Sequence, residues 1–287
     1  MVSKAVAPEL APAEVFEVAF RERVHFKDFY NRIREDWWRN ISIYIAHEGD
    51  PAVVHPLALC MYTDDQQQAK DRKKSLINLY YPQKGSWLHS NLYKMRRNHD
   101  LIFCPSCGES GTPTTLDHYL PKTEFPEFSV LLHNLTPMCT ICQEEKGTEW
   151  VTDEGGKKFL HPYYDDILFP LIKIDFYEPF KTPSFNIRIH DGVPADLHDL
   201  ASNHIEGVGI NRRLKEFSRK KYIQLLKNAM MHRNGNRKML FREKVDMFLE
   251  HEEYVSINRW EAVFYRSVLE DQKLLHYLEN GELPRHL

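Results

Sequence analysis

The sequence predicts an α+β chain, mostly helical, with a small stranded centre. Three observations carry that expectation. Apolar residues recur at helical steps toward both ends, short β-type runs punctuated by Gly and Pro fill the middle, and four of the five cysteines form two C-x-x-C pairs in that same middle. At 287 residues the chain is long enough for one large domain or two small ones, on the usual ~100–200 residues per domain. With 42 % hydrophobic and 28 % charged residues it has the composition of an ordinary globular protein, which excludes disorder as its main state.

Residues 1–100 are expected to be helical. In FRERVHFKDFYNRIREDWWRNISIYIAHE, Phe20, Val24, Phe29, Ile33 and Trp37 follow one another at three- to five-residue steps. Trp37-Trp38 suits a packing anchor, and the lone Cys60 suits a buried apolar site. A basic stretch at 70–97 interleaves Lys70, Arg72, Lys73, Lys74, Lys84, Lys94, Arg96 and Arg97 with Tyr80, Tyr81, Trp87 and Tyr93. Residues 101–192 change character. TTLDHYL reads as a strand entering a turn, and KFLHPYYDDILFPLIKIDFYE and SFNIRIHDG read as strand segments, with His161 ending a strand beside Pro162. Helices return over 193–287, where Leu214, Phe217, Tyr222, Leu225 and Leu226 share one side of a segment rich in Arg212, Arg213, Lys215, Arg219, Lys220, Lys221 and Lys227. The net charge of -3 thus hides two basic regions. The N-terminus has no apolar run of signal-peptide length and no stretch reaches the ~18 apolar residues of a membrane span, so a cytoplasmic protein is expected.

Cys104 and Cys107 are separated from Cys139 and Cys142 by 31 residues. Each pair offers two sulfurs on one turn, and a closed tetrahedral Zn²⁺ needs four. Between the pairs stand Asp117-His118, then Asn134-Leu135, and after the second pair Gln143 and Lys146-Gly147. This order resembles the zinc-stapled HNH endonucleases, in which one C-x-x-C precedes an Asp-His strand and the other opens a helix. The resembling stretch runs from Cys104 to Gly147, under a fifth of the chain, with HPYYD at 161–165 as its continuation.

The resemblance implies a ββα-metal finger between two helical regions and a metal-dependent hydrolysis of DNA phosphodiester bonds. His118 would be the general base and Asp117 a ligand of catalytic Mg²⁺ or Mn²⁺, while Asn134 would hold the loop that orients the histidine. The family carries His or Asn directly after the second cysteine pair. Here Gln143 stands there, with an amide oxygen on a side chain one methylene longer than Asn, and that departure bears on the metal shell. Lys146, Arg96, Arg97, Lys220 and Lys221 are the candidate nucleic-acid contacts, because cations neutralise phosphates and neighbouring rings stack on bases. The expected partners are DNA and, by analogy with anti-phage or restriction effectors, an ATPase or sensor subunit that licenses cutting, since no Walker motif is present. Membrane partners are not expected, and a homodimer and an RNA substrate both stay open. The alternative, from another functional class, is a non-catalytic zinc-stapled nucleic-acid-binding or adaptor protein.

Overall fold

The structure, a computed structural model, describes residues 2–235 and 239–284. Residue 1 and residues 236–238 and 285–287, the last two stretches within the expected C-terminal helical region, therefore lie outside the described residues. The chain divides into two compact units: Lys4–Pro105 with Gly111–Asp165, and Asp166–Leu287 with Met1–Ser3 and Ser106–Ser110. Where three regions are expected from composition, the N-terminal helices and most of the centre up to residue 165 share one unit, and Ser106–Ser110 and the strands after residue 165 join the C-terminal helices. The fold class is α+β, with helices outweighing two small antiparallel sheets.

The first unit opens with α1 (Pro12–Arg21), α2 (Lys27–Ala46), α3 (Gln66–Ile77) and α4 (Trp87–Arg97). The side chains of Asp65 and Ser86 accept hydrogen bonds from Gln68 N and His89 N, capping α3 and α4. The apolar series from Phe20 to Trp37 does not make one helix. The chain breaks at Phe26, whose φ of 62° is left-handed, and Val24 in the break is exposed. Beyond it Phe29, Ile33 and Trp37 are buried as the period requires. Trp37 meets Phe16 edge-on at 5.1 Å and donates its indole N–H to Glu127 O at 2.8 Å, whereas Trp38 is partly exposed. Cys60 is exposed, not buried, because it lies on a short 3₁₀ turn, Leu59–Tyr62, that turns only Leu59 inward.

The centre of this unit is β1 (Thr115–His118) paired antiparallel with β2 (Leu135–Met138), followed by α5 (Thr140–Lys146). Asp117 lies opposite Thr136 and His118 opposite Leu135. Cys139 caps α5, its sulfur accepting from Cys142 N at 3.4 Å. The FLHPYYDD segment contains no strand. A turn at Pro162–Tyr164 takes its place, and His161 is fully buried. Gly49 has to be glycine there: its φ is +71°, and a Cβ would stand 2.9 Å from the Tyr44 ring and 3.1 Å from that of His161.

Glu127 is buried in the same unit. Its Oε1 accepts from Asn40 Nδ2 and Leu57 N, its Oε2 has no partner, and burial pushes its carboxyl up to about 7. A folded-state pKa above the unfolded one stabilises the fold below the unfolded pKa, and that stabilisation is lost as pH rises through the folded pKa. Raising pH from 5 to 8 should therefore cost about 3 kcal/mol through this group. Urea titrations should show that slope flattened in Glu127→Gln; an unchanged slope would show that Glu127 is not its source.

In the second unit β3 (Ile172–Phe176) and β4 (Phe185–Ile189) form an antiparallel hairpin, followed by α6 (His198–Gly207), α7 (Ile210–Asn234), α8 (Phe241–Glu253), α9 (Trp260–Glu270) and α10 (Gln272–Asn280). Ile172, Ile174 and Phe176 alternate inward along β3. Helix α9 is buried from Ala262 to Leu269, with Arg266 paired to Glu253 at 2.7 Å, and Ser267 accepts from Ile174 N at 3.0 Å. On α7 the expected apolar side is buried except for half-buried Phe217, while Arg213 turns inward. Among the described residues no helix is long and apolar enough to cross a membrane.

Candidate active site

Asp117 and His118 end the short strand β1, and both line an open pocket of about 380 Å³ in the first unit. His118 is 8 % exposed. Its Nε2 lies 3.0 Å from Ser129 O, and a carbonyl only accepts, so the ring carries its hydrogen on Nε2 and keeps the Nδ1 lone pair. Ser129 is fixed in turn by its hydroxyl, which donates to Leu76 O at 2.6 Å. The Tyr80 ring packs edge-on against the imidazole at 4.6 Å. Burial, with the nearby Lys122 and Lys146 charges, lowers the His118 pKa to about 3, so the imidazole is neutral across the physiological range.

Beside it, burial pushes the Asp117 carboxyl up, and the Lys146 ammonium at 3.1 Å opposes that shift. Lys146, expected as a nucleic-acid contact, does not reach the surface. It is 2 % exposed, donates to His118 O at 2.9 Å, and lies over the Phe159 ring at 5.5 Å. The last turn of α5 aims it beneath β1, where the buried carboxylate holds it. Gln143 sits one turn earlier on the pocket wall and donates its amide to Leu116 O at 2.9 Å, which leaves the amide oxygen as an acceptor.

Asn134 is wholly buried and does not line the pocket. It grips the turn after His118 from both sides, accepting from Leu120 N at 2.8 Å and donating to Leu120 O at 2.9 Å. Tyr44 donates to Asn134 Oδ1 at 3.3 Å and lies 2.9 Å from His161 Nε2. His161 Nδ1 accepts from Tyr163 N at 3.1 Å, so the neutral His161 ring donates through Nε2 to the Tyr44 oxygen. Asn134→Ala orphans both buried groups of Leu120 and should cost about 2–4 kcal/mol. Chemical denaturation measures this, and a loss below ~0.5 kcal/mol would contradict it.

The remaining wall is cationic and aromatic. Lys122 lies 4.3 Å from the centre of the Tyr80 ring, 4.9 Å from that of the exposed Tyr81, and donates to the Tyr81 hydroxyl at 3.1 Å. Arg96 donates to the Tyr80 hydroxyl at 3.0 Å and lines the pocket, whereas Arg97 is exposed outside it. Lys220 and Lys221 stand on α7 of the second unit, Lys220 exposed and Lys221 over the Tyr265 ring at 5.2 Å. Sequence reasoning misses Lys122, Tyr44 and the Ser129 carbonyl. Only Lys122, four residues past His118, had a signal there.

The sulfurs of Cys104, Cys107, Cys139 and Cys142 all lie within 4.8 Å of one another and form a group that could hold a metal ion such as zinc. A tetrahedral ion with bonds of about 2.3 Å would draw them to about 3.8 Å. Cys139 N donates to Cys104 Sγ at 3.4 Å, and Arg213 approaches Cys107 Sγ at 3.7 Å, both suited to thiolate charge. Gly108, directly after the first pair, has φ +82°, and a Cβ there would collide with Asn258 O.

Over 67 residues the chain is 43 % identical to Protein ea31 of Escherichia phage lambda, a match covering 23 % of this chain and 22 % of that protein. The match thus spans just under a quarter of the length of that relative. No family model and no solved structure matches the chain.

Proposed function

We propose that the protein is a metal-dependent endonuclease of the HNH kind that hydrolyses DNA phosphodiester bonds. The observation that carries the reading is the His118 ring: Nε2–H is spent on the Ser129 carbonyl, which leaves the Nδ1 lone pair on a ring that lines the same open pocket as Asp117. In this reading Nδ1 takes the proton of a water attacking the phosphorus in line. The 3′ oxygen leaves, and the products carry 5′-phosphate and 3′-hydroxyl ends. Lys122 and Arg96 hold the flanking phosphates, and Tyr81 offers a face for a base. Asp117 and the Gln143 amide oxygen are the hard oxygen donors that would hold Mg²⁺ or Mn²⁺, with water and phosphate completing the shell. When bound, that ion supplies charge stabilisation to the pentacoordinate phosphate. The four cysteines, all sulfur and with no open position, fit a structural zinc that staples α5.

Purified zinc-loaded protein should nick or linearise supercoiled plasmid with Mg²⁺ or Mn²⁺ and not with EDTA. Asp117→Asn should lower the rate ~100-fold or more at fixed metal, and part of that loss should be recovered at higher metal. Cutting that persists in EDTA would refute the reading. The second reading, a zinc-stapled nucleic-acid-binding or adaptor module without hydrolysis, is favoured by one observation, the Lys146 ammonium already seated on Asp117. Retained DNA binding with no metal-dependent cutting, alone or with the genomic neighbours of the protein, is its signature. The proposed setting, by analogy alone, is an anti-phage effector licensed by an ATPase or sensor subunit; with no Walker motif in this sequence, any nucleotide-driven step would come from that partner.

A further inference from the structure

Resting on the nuclease reading, we propose that the catalytic cation and the nucleic acid bind this pocket as one coupled event, and that Lys146 is the residue that couples them. Among the residues lining the pocket, Asp117 is the one carboxylate, against Arg96 and Lys122. Its Oδ2 already faces Lys146 Nζ at 3.1 Å, in a pair with side chains 2 % and 7 % exposed. Lys146 has no easy way to withdraw, since its other bond, to His118 O at 2.9 Å, and the Phe159 ring hold it in place.

The charge balance of the site follows. One carboxylate against three cations leaves the pocket positive before any metal arrives, and a divalent ion on Asp117 raises that surplus by two. Such an ion would share its single carboxylate with a fixed ammonium, in a medium where charges at this range interact strongly. Metal sites with several carboxylates hold their ion without help, and this one has no second acid to do so. A phosphodiester backbone brings the missing negative charge, and its oxygens also supply ligands. Metal and substrate therefore raise one another's affinity by the same factor. Lys146 is a positioning residue in this scheme: it holds the end of β1 through the His118 carbonyl and sets how much anion the metal requires.

Mn²⁺ binding to zinc-loaded His118→Ala protein, followed by electron paramagnetic resonance of the free ion, tests the proposal with and without a short DNA duplex. The duplex should tighten Mn²⁺ at least ~10-fold, within the usual range of coupled sites. In Lys146→Met, with folding checked by zinc content and circular dichroism, Mn²⁺ alone should bind ~10-fold tighter and the effect of the duplex should shrink. If that variant fails to fold, Lys122→Gln and Arg96→Gln should each tighten Mn²⁺ alone by a few-fold. Equal Mn²⁺ affinity with and without duplex, or no change in Lys146→Met, overturns the coupling. If Asp117→Asn still abolishes that binding, the nuclease reading stands without it. No Mn²⁺ at Asp117 under either condition overturns both.

Discussion

His118→Ala should lower metal-dependent cleavage by about 10²–10⁴-fold, the range of a positioned general base, while zinc stays bound. The loss follows from one ring nitrogen. Ser129 O and Tyr80 fix the imidazole so that Nδ1 keeps its free lone pair, and no other histidine among the described residues lines the pocket. The pH profile gives a second readout. With the His118 pKa lowered to about 3, the base does not gain its proton near 6.5, so the wild-type rate should hold below pH 6. The same shift sets a stability sign. The unfolded histidine binds a proton below about 6.5 and the folded one does not, so this group destabilises the fold as pH falls from 6.5 toward 3. His118→Asn, which fills more of the ring's space, separates lost chemistry from lost packing. Kinetics of supercoiled plasmid loss measure all three proteins.

Cys142→Ser should abolish tight metal binding and lower the melting temperature by ten degrees or more. Structural zinc contributes folding free energy outright, about 10–16 kcal/mol in small zinc modules. Here Cys142 is wholly buried, and its N–H caps onto Cys139 Sγ at the start of α5. That helix is seven residues long, too short to persist alone. Losing it releases Gln143 from Leu116 O and Lys146 from Asp117, so the pocket loses two of its polar anchors with the zinc. Elemental analysis and thermal melts with and without a chelator check this. A variant with full zinc and an unchanged melt would show that the cysteine cluster is not a structural site.

The stranded centre was legible because its signals are local. A strand entering a turn at TTLDHYL and a helix opening at the second cysteine pair depend on neighbours in sequence, and both are present as β1 and α5. The long-range partners were not legible. Tyr44 reaches Asn134 across ninety residues, and nothing in IYIAHE marks that tyrosine as its partner. Lys146 reads as an ordinary cation at the end of a helix, and only the tertiary structure puts Asp117 and Phe159 around it. HPYYD reads as a strand end because Pro bounds strands, yet its histidine is drawn inward by Tyr44 and by the backbone N–H of Tyr163. The break at Phe26 overrides an apolar period that runs through it, because the backbone there takes a left-handed conformation that no side-chain pattern records.

Chemical rescue tests the central claim, that His118 Nδ1 takes the proton, most directly. His118→Ala protein loaded with zinc and saturated with Mn²⁺ should recover plasmid cleavage as imidazole is added, in proportion to the free base. Cleavage by that variant at the wild-type rate, or a rate indifferent to imidazole and to its pKa while the wild type cuts, would contradict the assignment.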